Sequence, residues 1–460
     1  MRLTLLFCDT RGLCRGLESD ELPDQDESAV EPLARLLRDA GHQVTSLGVT
    51  FDSLEALPRA IEGCDAVFNL CDGSGVDGTV GPGAPALLQQ LGVAFTGCSA
   101  DPYLLLIDKA RVREVLSRAG VRVPEGCVLA SEENVDVEGW QWPVIVKPRE
   151  GYGSLGVDHR SVVHDASMLP AAIRRARRAG DGDVLVERYL AGRELSVSLI
   201  GEPDRPVLLP AVEFKFGRAF AGRPAIRTLR SKHDPKSAEY RDISVGVAAL
   251  EPALLAEVEA MARAAWLALD GDGYGRVDFR LDEEGRPYVI EVNANCSMEI
   301  GPEDCDCGTM VLASRLAGWD DARLLSTVLE TGLARARRGA SPVRSAMSGR
   351  WTPAAGHSLH ALRPIAEGEV LEWLDAVPPA GRGARRPWRM GGAGVWMAPA
   401  PPLRWARAAP GPTADAHLEE KDGGLLLSAS RPIARFEEIR VGGRRCRRGT
   451  TAHVRVEACS

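Results

Sequence analysis

The feature that most constrains this chain is a pair of alternating apolar–polar runs near its middle. Residues 275–293 read GRVDFRLDEEGRPYVIEVN, in which a short glycine-containing turn separates the two runs. Alternation with a period of two around such a turn predicts an antiparallel β-hairpin. Side chains two residues apart on a strand share a face, so Glu291 and Asn293 point to the same side. Pairing of the strands would bring Asp278 within reach of both.

The three side chains would supply two carboxylates and one amide oxygen, which are hard oxygen ligands. Such ligands suit Mg²⁺, which usually keeps several bound waters and also binds phosphate oxygens of a substrate. The alternative, an edge hairpin with unrelated surface acids, explains any one of Asp278, Glu291 and Asn293 but not their occurrence together. The hairpin therefore predicts a magnesium site, with Mn²⁺ as the alternative ion.

A lysine followed by a glycine-rich loop precedes the hairpin. Lys147 ends the strand-like run VIVKP, and Gly151, Gly153, Ser154 and Gly156 follow it. Glycines let backbone N–H groups approach phosphate oxygens closely. The spacing is neither that of a P-loop nor that of a dinucleotide fingerprint. The loop alone is weak evidence, but together with Lys147 and the carboxylate hairpin it indicates a site for phosphate groups.

The rest of the chain predicts a mixed α/β protein. Within the first hundred residues, short apolar runs alternate with helical stretches, which is typical of a parallel sheet. We expect strands at residues 3–7, 42–49, 65–71 and 93–97, and helices at residues 29–41, 83–92 and 106–120.

Composition excludes several classes of protein. The 460 residues are 45% hydrophobic and 26% charged, unlike a disordered, collagen-like or coiled-coil chain. No apolar run approaches the roughly 18–20 residues that span a bilayer. Eleven scattered cysteines are expected to be reduced thiols in the cytoplasm. Cys296, Cys305 and Cys307 are expected to be packed or free rather than zinc ligands or nucleophiles. Residues 341–460 are basic, which we interpret as a solvated surface, with no nucleic-acid partner.

Taken together, these motifs resemble the ATP-grasp superfamily, closest to its D-alanine–D-alanine ligase-like branch, over roughly residues 1–320. The resemblance implies that Lys109 and Lys147 face the phosphates of ATP, with Gly153 and Ser154 in the loop that covers them. It implies an adenine-binding hinge at Glu187 and Leu190, a ribose-binding acid at Glu194 and a γ-phosphate lysine at Lys232. It further implies that Arg276 steadies the substrate and the transition state, and that the metal ligands are Asp278, Glu291 and Asn293.

The resemblance also implies an architecture and a reaction. The expected fold is α/β (α+β), namely an ATP-grasp fold preceded by a parallel pre-ATP-grasp sheet. The expected boundaries are 1–103 for the N-terminal α/β domain, 104–195 for the central subdomain and 196–335 for the C-terminal subdomain. The implied activity is ATP-dependent ligation of a carboxylate to an amine through an acyl phosphate, with release of ADP and phosphate. Arg276, Lys232 and Ser154 would be the catalytic residues. A homodimer is common in this branch.

The departures from the family pattern concern the substrate. CDTRGLCRGLESDE does not match the segment that recognises the first amino group in D-alanine ligases. Gly153 replaces the first of two serines, and His233 replaces an aromatic residue. The family's Asn-x-x-Pro-Gly segment appears here as NANCSMEIGP, in which the proline is lost and Ser297 replaces the glycine. We therefore expect a specialised metabolite or a peptide as substrate rather than D-alanine.

The last region, 345–445, resembles a SET domain. GHSLHALRPIAEGEVLEW is similar to the opening of that domain, and LLLSASRPIARFEEIRV to its closing strands. An active SET methyltransferase also has an Asn–His motif and tyrosines that orient the amine. The region has neither, since the last tyrosine is Tyr288. We expect a small, mostly β, catalytically degenerate domain. The alternatives are a SET-type methyltransferase that uses S-adenosylmethionine and has a nucleotide-binding regulatory domain, and a non-catalytic binding module.

Overall fold

The structure is a computed structural model. It describes residues 1–9, 27–72, 80–133, 135–151, 154, 156–180, 183–301 and 307–339, together with the backbone of short strands between 347 and 443. Contacts divide the chain into two units: residues 1–129 with 137–342, and residues 130–136 with 343–460.

The first unit begins with a parallel sheet. Its strands are β1 (Arg2–Cys8), β2 (Gln43–Val49) and β3 (Ala66–Asn69), in the order β2-β1-β3. The helices between and after them are α1 (Glu27–Asp39), α2 (Leu57–Ala60) and α3 (Val80–Leu91). Leu33 and Leu37 of α1 pack against the apolar side chains of β1, as a one-faced helix on a sheet requires. The predicted elements up to residue 92 are thereby confirmed, within a few residues at their ends.

The expected fourth strand, 93–97, is wrong. This segment makes only one parallel bridge, between Phe95 and Val67. Gly92 and Gly97 flank it with φ values of +65° and +86°, so the chain turns on both sides before a ladder can extend.

The second sheet is antiparallel. Its strands are β4 (Gly126–Leu129), β5 (Val144–Pro148), β6 (Val162–Val163) and β7 (Val184–Arg188), in the order β4-β7-β5-β6. The helices that precede it or lie within it are α4 (Ala100–Ile107), α5 (Lys109–Arg118) and α6 (Leu169–Gly180). A short 3₁₀ turn, His159–Ser161, precedes β6.

The helix expected over 106–120 is divided at Asp108. Asp108 has an extended backbone, and its carboxylate accepts the N–H groups of Ala110 and Arg111, which caps α5. Arg149 holds the same carboxylate with two hydrogen bonds of 2.8 and 2.6 Å. The cap therefore places Lys109 in the first turn of α5, beside the end of β5.

The third sheet is also antiparallel and contains the predicted hairpin. Its strands are β8 (Glu194–Ile200), β9 (Val207–Leu208), β10 (Val212–Phe216), β11 (Ile243–Val247), β12 (Tyr274–Leu281) and β13 (Pro287–Ala294). The order is β11-β10-β8-β12-β13, and β9 pairs with β8. The accompanying helices are α7 (Leu229–His233), α8 (Ala238–Arg241), α9 (Pro252–Ala268), α10 (Thr309–Leu316) and α11 (Asp321–Arg338).

The second unit is described mainly as β-strands. They are β14 (Met347–Thr352), β15 (Gly356–Ala361), β16 (Val370–Asp375), β17 (Trp388–Arg389), β18 (Trp396–Met397), β19 (Arg407–Pro410), β20 (Ala416–Lys421), β21 (Gly424–Ala429) and β22 (Arg440–Gly443). Five of them form a sheet in the order β16-β21-β20-β22-β19.

Two apolar clusters make up most of the core of the first unit. One joins the parallel sheet to α1, α10 and α11, and the other surrounds the fully buried Trp266 of α9 beneath the third sheet. Between them lies a close backbone contact, called here the junction, which is formed by residues 95–99, 272–273 and 295.

No helix in the described part of the chain is long and apolar enough to cross a membrane.

The junction depends on Gly273. A Cβ atom there would lie 2.2 Å from the carbonyl oxygen of Gly97, and φ is +73°. Gly285 has a similar φ of +80° but open space around it. We expect Gly285→Ala to cost about 1–2 kcal/mol, the strain of a left-handed alanine. Gly273→Ala should cost about 4 kcal/mol or more because backbone must also move. Urea unfolding of both variants measures the difference; equal losses would contradict the close packing.

Candidate active site

Most of the predicted site residues converge on one cleft. The cleft lies between the second and third sheets. We call it the intersheet cleft. The predicted residues that line it are Lys109, Lys147, Ser154, Glu187, Leu190, Glu194, Lys232, Asp278 and Glu291. Arg276 and Asn293 are hydrogen-bonded to Asp278. Gly153 lies outside the described residues.

The hairpin has the geometry that its alternation predicts. Asp278 lies opposite Glu291, and Arg276 lies opposite Asn293, so all four side chains share one face. Asp278 is the centre of the group. Its Oδ1 accepts hydrogen bonds from Ser196 Oγ at 2.6 Å and from Arg276 Nε at 2.7 Å. Its Oδ2 accepts hydrogen bonds from Arg276 Nη2 at 2.9 Å and from Asn293 Nδ2 at 3.0 Å.

These contacts keep Asp278 ionised. Burial by itself would raise the pKa of Asp278, but the charge of Arg276 and the hydrogen bonds from Arg276 and Ser196 lower it below its ordinary value. For Arg276, burial acts to lower the pKa and Asp278 raises it, and the net direction is upward. Both groups therefore stay charged at neutral pH.

The donor set fits Mg²⁺. Asp278 and Glu291 supply carboxylates, and the amide oxygen of Asn293 has no hydrogen-bond partner among the described residues, since its nitrogen is the atom that binds Asp278. Carboxylate and amide oxygens are the ligands that Mg²⁺ prefers. In the described part of the chain, no group of three His, Cys, Asp or Glu side chains is placed to hold a metal ion.

Two lysines stand on the other side of the cleft. Lys147 Nζ lies 2.5 Å from Glu187 Oε2, and Glu187 is only 4% exposed. Lys109 donates to the carbonyl of Gly151 and lies 3.9 Å from Glu291 Oε1. Burial lowers the pKa of Lys109, and Glu291 offsets only part of this effect. The two cations lie near enough to repel each other, which an anionic ligand between them would relieve.

The third lysine comes from the 217–242 segment, which connects β10 and β11. Thr228 caps α7, the short helix that carries Lys232. Burial and then the charge of Arg227 lower the pKa of Lys232 to about 8. Ser154 of the glycine loop donates its hydroxyl to the carbonyl of Arg227 at 2.9 Å. The glycine loop and the 217–242 segment therefore meet at the cleft.

A hydrogen-bond network that the sequence did not predict holds the 217–242 segment in place. His159 Nε2 lies 2.9 Å from Glu239 Oε1, and His159 Nδ1 lies 2.9 Å from the carbonyl of Pro224. Glu239 Oε2 accepts the hydroxyl of Thr228 at 2.8 Å. Residue 159 and residue 239 are 80 positions apart, so no local pattern could have revealed their contact.

Sequence reasoning also missed Arg280, which holds Glu194 and the backbone of Leu190 at one end of the cleft. Its guanidinium holds Glu194 Oε2 at 3.0 and 2.5 Å and donates to the carbonyl of Leu190 at 3.2 Å. Arg280 is 3% exposed. The strand alternation contained the signal, because Arg280 lies two residues beyond Asp278 and shares its face.

Of the three cysteines beyond the hairpin, Cys296 and Cys307 belong to the described residues. Cys296 is buried, and burial raises the pKa of its thiol to about 12, so it is protonated at neutral pH. Cys307 is half-buried. Cys305 lies outside the described residues.

Arg280 provides a stability test of its pairing with Glu194. Arg280→Met leaves Glu194 buried without its counter-charge and should lower the free energy of unfolding by about 3–5 kcal/mol. The double variant R280M/E194L removes both charges and should recover part of that loss. Urea unfolding of the single and double variants measures the coupling. A double variant as unstable as the sum of its singles would show that the pair is not coupled.

Comparison with known proteins agrees with this geometry. A family model for the C-terminus of D-Ala–D-Ala ligases matches residues 122–301. The D-alanine–D-alanine ligase of Geobacter sulfurreducens is 33% identical over 266 residues, which cover 56% of this chain and 75% of that relative. The ligase of Halorhodospira halophila is 33% identical over 264 residues, 56% of this chain and 80% of that one. An uncharacterised protein of Sinorhizobium fredii, y4sG, is 30% identical over 267 residues, which cover 57% of this chain and 73% of that protein.

The fold is shared as well. The crystal structure of the D-alanine–D-alanine ligase from Bacillus anthracis complexed with ATP aligns with a TM-score of 0.52 and 18% identity, covering 74% of this chain and 99% of that one. Fold and site together define an ATP-dependent carboxylate–amine ligase, which forms carbon–nitrogen bonds with ATP and Mg²⁺ as cofactors. The chain belongs to the D-alanine–D-alanine ligase family. None of the proteins named here is a methyltransferase, so that alternative is without support.

Proposed function

We propose that this protein activates a specialised carboxylic acid as an acyl phosphate and joins it to an amine. The observation that carries the proposal is a group of cations beside two carboxylates. Lys109, Lys147 and Lys232 line the same cleft as Asp278 and Glu291, and Arg276 is hydrogen-bonded to Asp278. Cations in such an arrangement neutralise the negative charge that develops during phosphoryl transfer.

Each part of the nucleotide is assigned to particular residues of the cleft. Glu187 and the backbone at Leu190 would hold adenine, and Glu194 the ribose. Lys109, Lys147 and Lys232 would hold the phosphates. Gly153 and Ser154 would cover them; the contact of Ser154 with the carbonyl of Arg227 supports this closure.

Asp278, Glu291 and Asn293 are the proposed ligands of Mg²⁺. When bound, the ion supplies positive charge to the terminal phosphates and orients them. Arg276 helps to keep Asp278 ionised, and as the resemblance implies it would steady the substrate and the transition state.

The proposed reaction has two steps. An oxygen of the substrate carboxylate attacks the γ-phosphorus of ATP, the bond from that phosphorus to the β,γ-bridging oxygen breaks, and ADP leaves with the electron pair. The amine then attacks the acyl carbon, and inorganic phosphate and a proton leave. No protein nucleophile is required, since catalysis consists of positioning and charge neutralisation. The protonated thiol of Cys296 is consistent with this scheme.

The acid and the amine are proposed to be a specialised metabolite or a peptide rather than D-alanine. The segment after the hairpin supports a changed substrate half. Asn295 Oδ1 accepts the N–H of Cys98 at 2.7 Å, and its Nδ2 donates to the carbonyl of Cys71 at 2.9 Å, so this side chain is committed to the junction. The sequence departures at Gly153, His233 and Ser297 belong to the same half.

We retain the domain boundaries 1–103, 104–195 and 196–335, and a degenerate SET-like domain over 345–445, as proposals. The division of contacts near residue 342 supports a separate last domain, and the strands β14–β22 support its mostly β character. Its proposed role is to help shape or recruit the substrate. A cytoplasmic homodimer remains part of the proposal.

The reaction can be tested without knowing the amine. The purified protein is given ATP, Mg²⁺, a pool of carboxylic and amino acids, and hydroxylamine as a generic acceptor. Mass spectrometry then follows ADP, AMP and hydroxamates. ADP with a hydroxamate supports the acyl phosphate and identifies the acid. AMP with pyrophosphate would show adenylation and overturn the mechanism.

The metal assignment predicts that Glu291→Ala lowers ADP and hydroxamate formation by at least about a hundredfold, because a ligand of the ion is lost. Glu284→Ala is the matched control, since Glu284 is exposed on the turn of the same hairpin and pairs with Arg286. That control should keep wild-type rates. Retained turnover in Glu291→Ala would exclude Glu291 as a metal ligand.

The lowered pKa of Lys232 predicts a pH effect on nucleotide binding. Below pH 8 the lysine is protonated and attracts phosphate; above pH 8 its charge is lost. The affinity for MgATP should fall about twofold by pH 8 and about tenfold by pH 9 relative to pH 6.5. In Lys232→Arg the profile should be flat because arginine stays charged. Calorimetry gives both profiles, and a constant wild-type affinity up to pH 9 would contradict the assignment.

A further inference from the structure

Arg227, which sequence reasoning did not select, lines the intersheet cleft beside the predicted phosphate residues. Its guanidinium carbon lies 3.8 Å from the ring centre of Phe214, a buried side chain of β10. Stacking of this kind fixes the plane of the guanidinium and leaves its N–H groups available around the edge. The orientation of Arg227 is therefore set by packing rather than by an ion pair.

Arg227 differs from Arg193, Arg276 and Arg280 in having no ion-pair partner among the described residues. Arg193, Arg276 and Arg280 each place two nitrogens on a carboxylate. No described residue accepts a hydrogen bond from the guanidinium of Arg227. Partial burial of a cation whose N–H donors have no acceptor costs free energy. An anionic group of a bound ligand would accept those hydrogen bonds and offset that cost.

Arg227 shares the cleft with the residues proposed for the nucleotide and the metal. Glu194, Lys232, Asp278 and Glu291 line the same cleft. The carbonyl oxygen of Arg227 accepts a hydrogen bond from the hydroxyl of Ser154 at 2.9 Å, so Arg227 lies beside a residue that the resemblance assigns to the phosphates. Burial and then the charge of Arg227 lower the pKa of Lys232, which is consistent with two cations that face one ligand.

We propose that Arg227 is a catalytic residue that hydrogen-bonds the γ-phosphoryl group of ATP and keeps it bound while it passes to the substrate carboxylate. This inference rests on the proposed function. During transfer the three equatorial oxygens of the phosphoryl group carry the negative charge, and a planar guanidinium can contact two of them at once. Arg227 and Lys232 come from the same short segment and would act on the same group.

The test compares two nucleotides that differ at the γ-position. Calorimetry of the full-length protein with Mg²⁺ gives dissociation constants for the ATP analogue AMP-PNP and for ADP. In Arg227→Gln the affinity for AMP-PNP should fall roughly tenfold to a hundredfold, the worth of a charged hydrogen bond. The affinity for ADP should stay within about twofold. Arg227→Lys, which keeps a charge but not the planar fork, should recover part of the loss.

Arg230→Gln is the matched control. Arg230 lies three residues along the same segment, its side chain is 57% exposed, and it lies 3.6 Å from Asp234. It should bind both nucleotides as the wild type does. A merely structural role for Arg227 would weaken both nucleotides equally in Arg227→Gln, and that result would overturn this inference alone. Wild-type protein that binds neither nucleotide would overturn the proposed function and this inference with it.

Discussion

The carboxylate of Asp278 is the interaction on which the rest of the site depends. Four hydrogen bonds reach it, from β8 through Ser196, from its own strand through Arg276, and from β13 through Asn293. These bonds fix the position of three strands, and the charge of Arg276 keeps Asp278 ionised despite its burial. A preorganised, charged oxygen ligand is what a magnesium site requires, so the packing of the sheet and the chemistry of the cleft have one common cause.

Local patterns predicted the elements that carry this chemistry. The hairpin, its shared face and the positions of Lys147 and Glu187 follow from alternation and turn residues, which depend only on near neighbours. The helix break at Asp108 and the lost strand at 93–97 could not be found in this way. The break at Asp108 depends on Arg149, which lies 41 positions away. The missing strand depends on the left-handed turns at Gly92 and Gly97, which leave a single bridge between Phe95 and Val67.

The same reason explains which functional residues the sequence concealed. Arg280 and Arg227 lie in a chain with many surface arginines, so residue type alone gives no signal. Their roles emerge only when burial and partners are known: Arg280 is buried on Glu194, whereas Arg227 is stacked on Phe214 with its donors unused. Lysine was a better guide because it is rare in this chain. Three of its six lysines, at 109, 147 and 232, line the intersheet cleft.

The cleft and the segment beyond the hairpin have different relations to the family. The residues proposed for the nucleotide, namely the three lysines, Glu187 and Glu194, line the cleft together. Beyond the hairpin, burial keeps the thiol of Cys296 protonated, and Asn295 is bound to the backbone of Cys71 and Cys98. The hairpin separates the two regions, since its face lines the cleft while the segment that leaves it contacts the parallel sheet. Residues beyond Asn293 can therefore change without disturbing the proposed metal ligands. A ligase built in this way can acquire a new acid or amine while its phosphoryl-transfer chemistry stays intact.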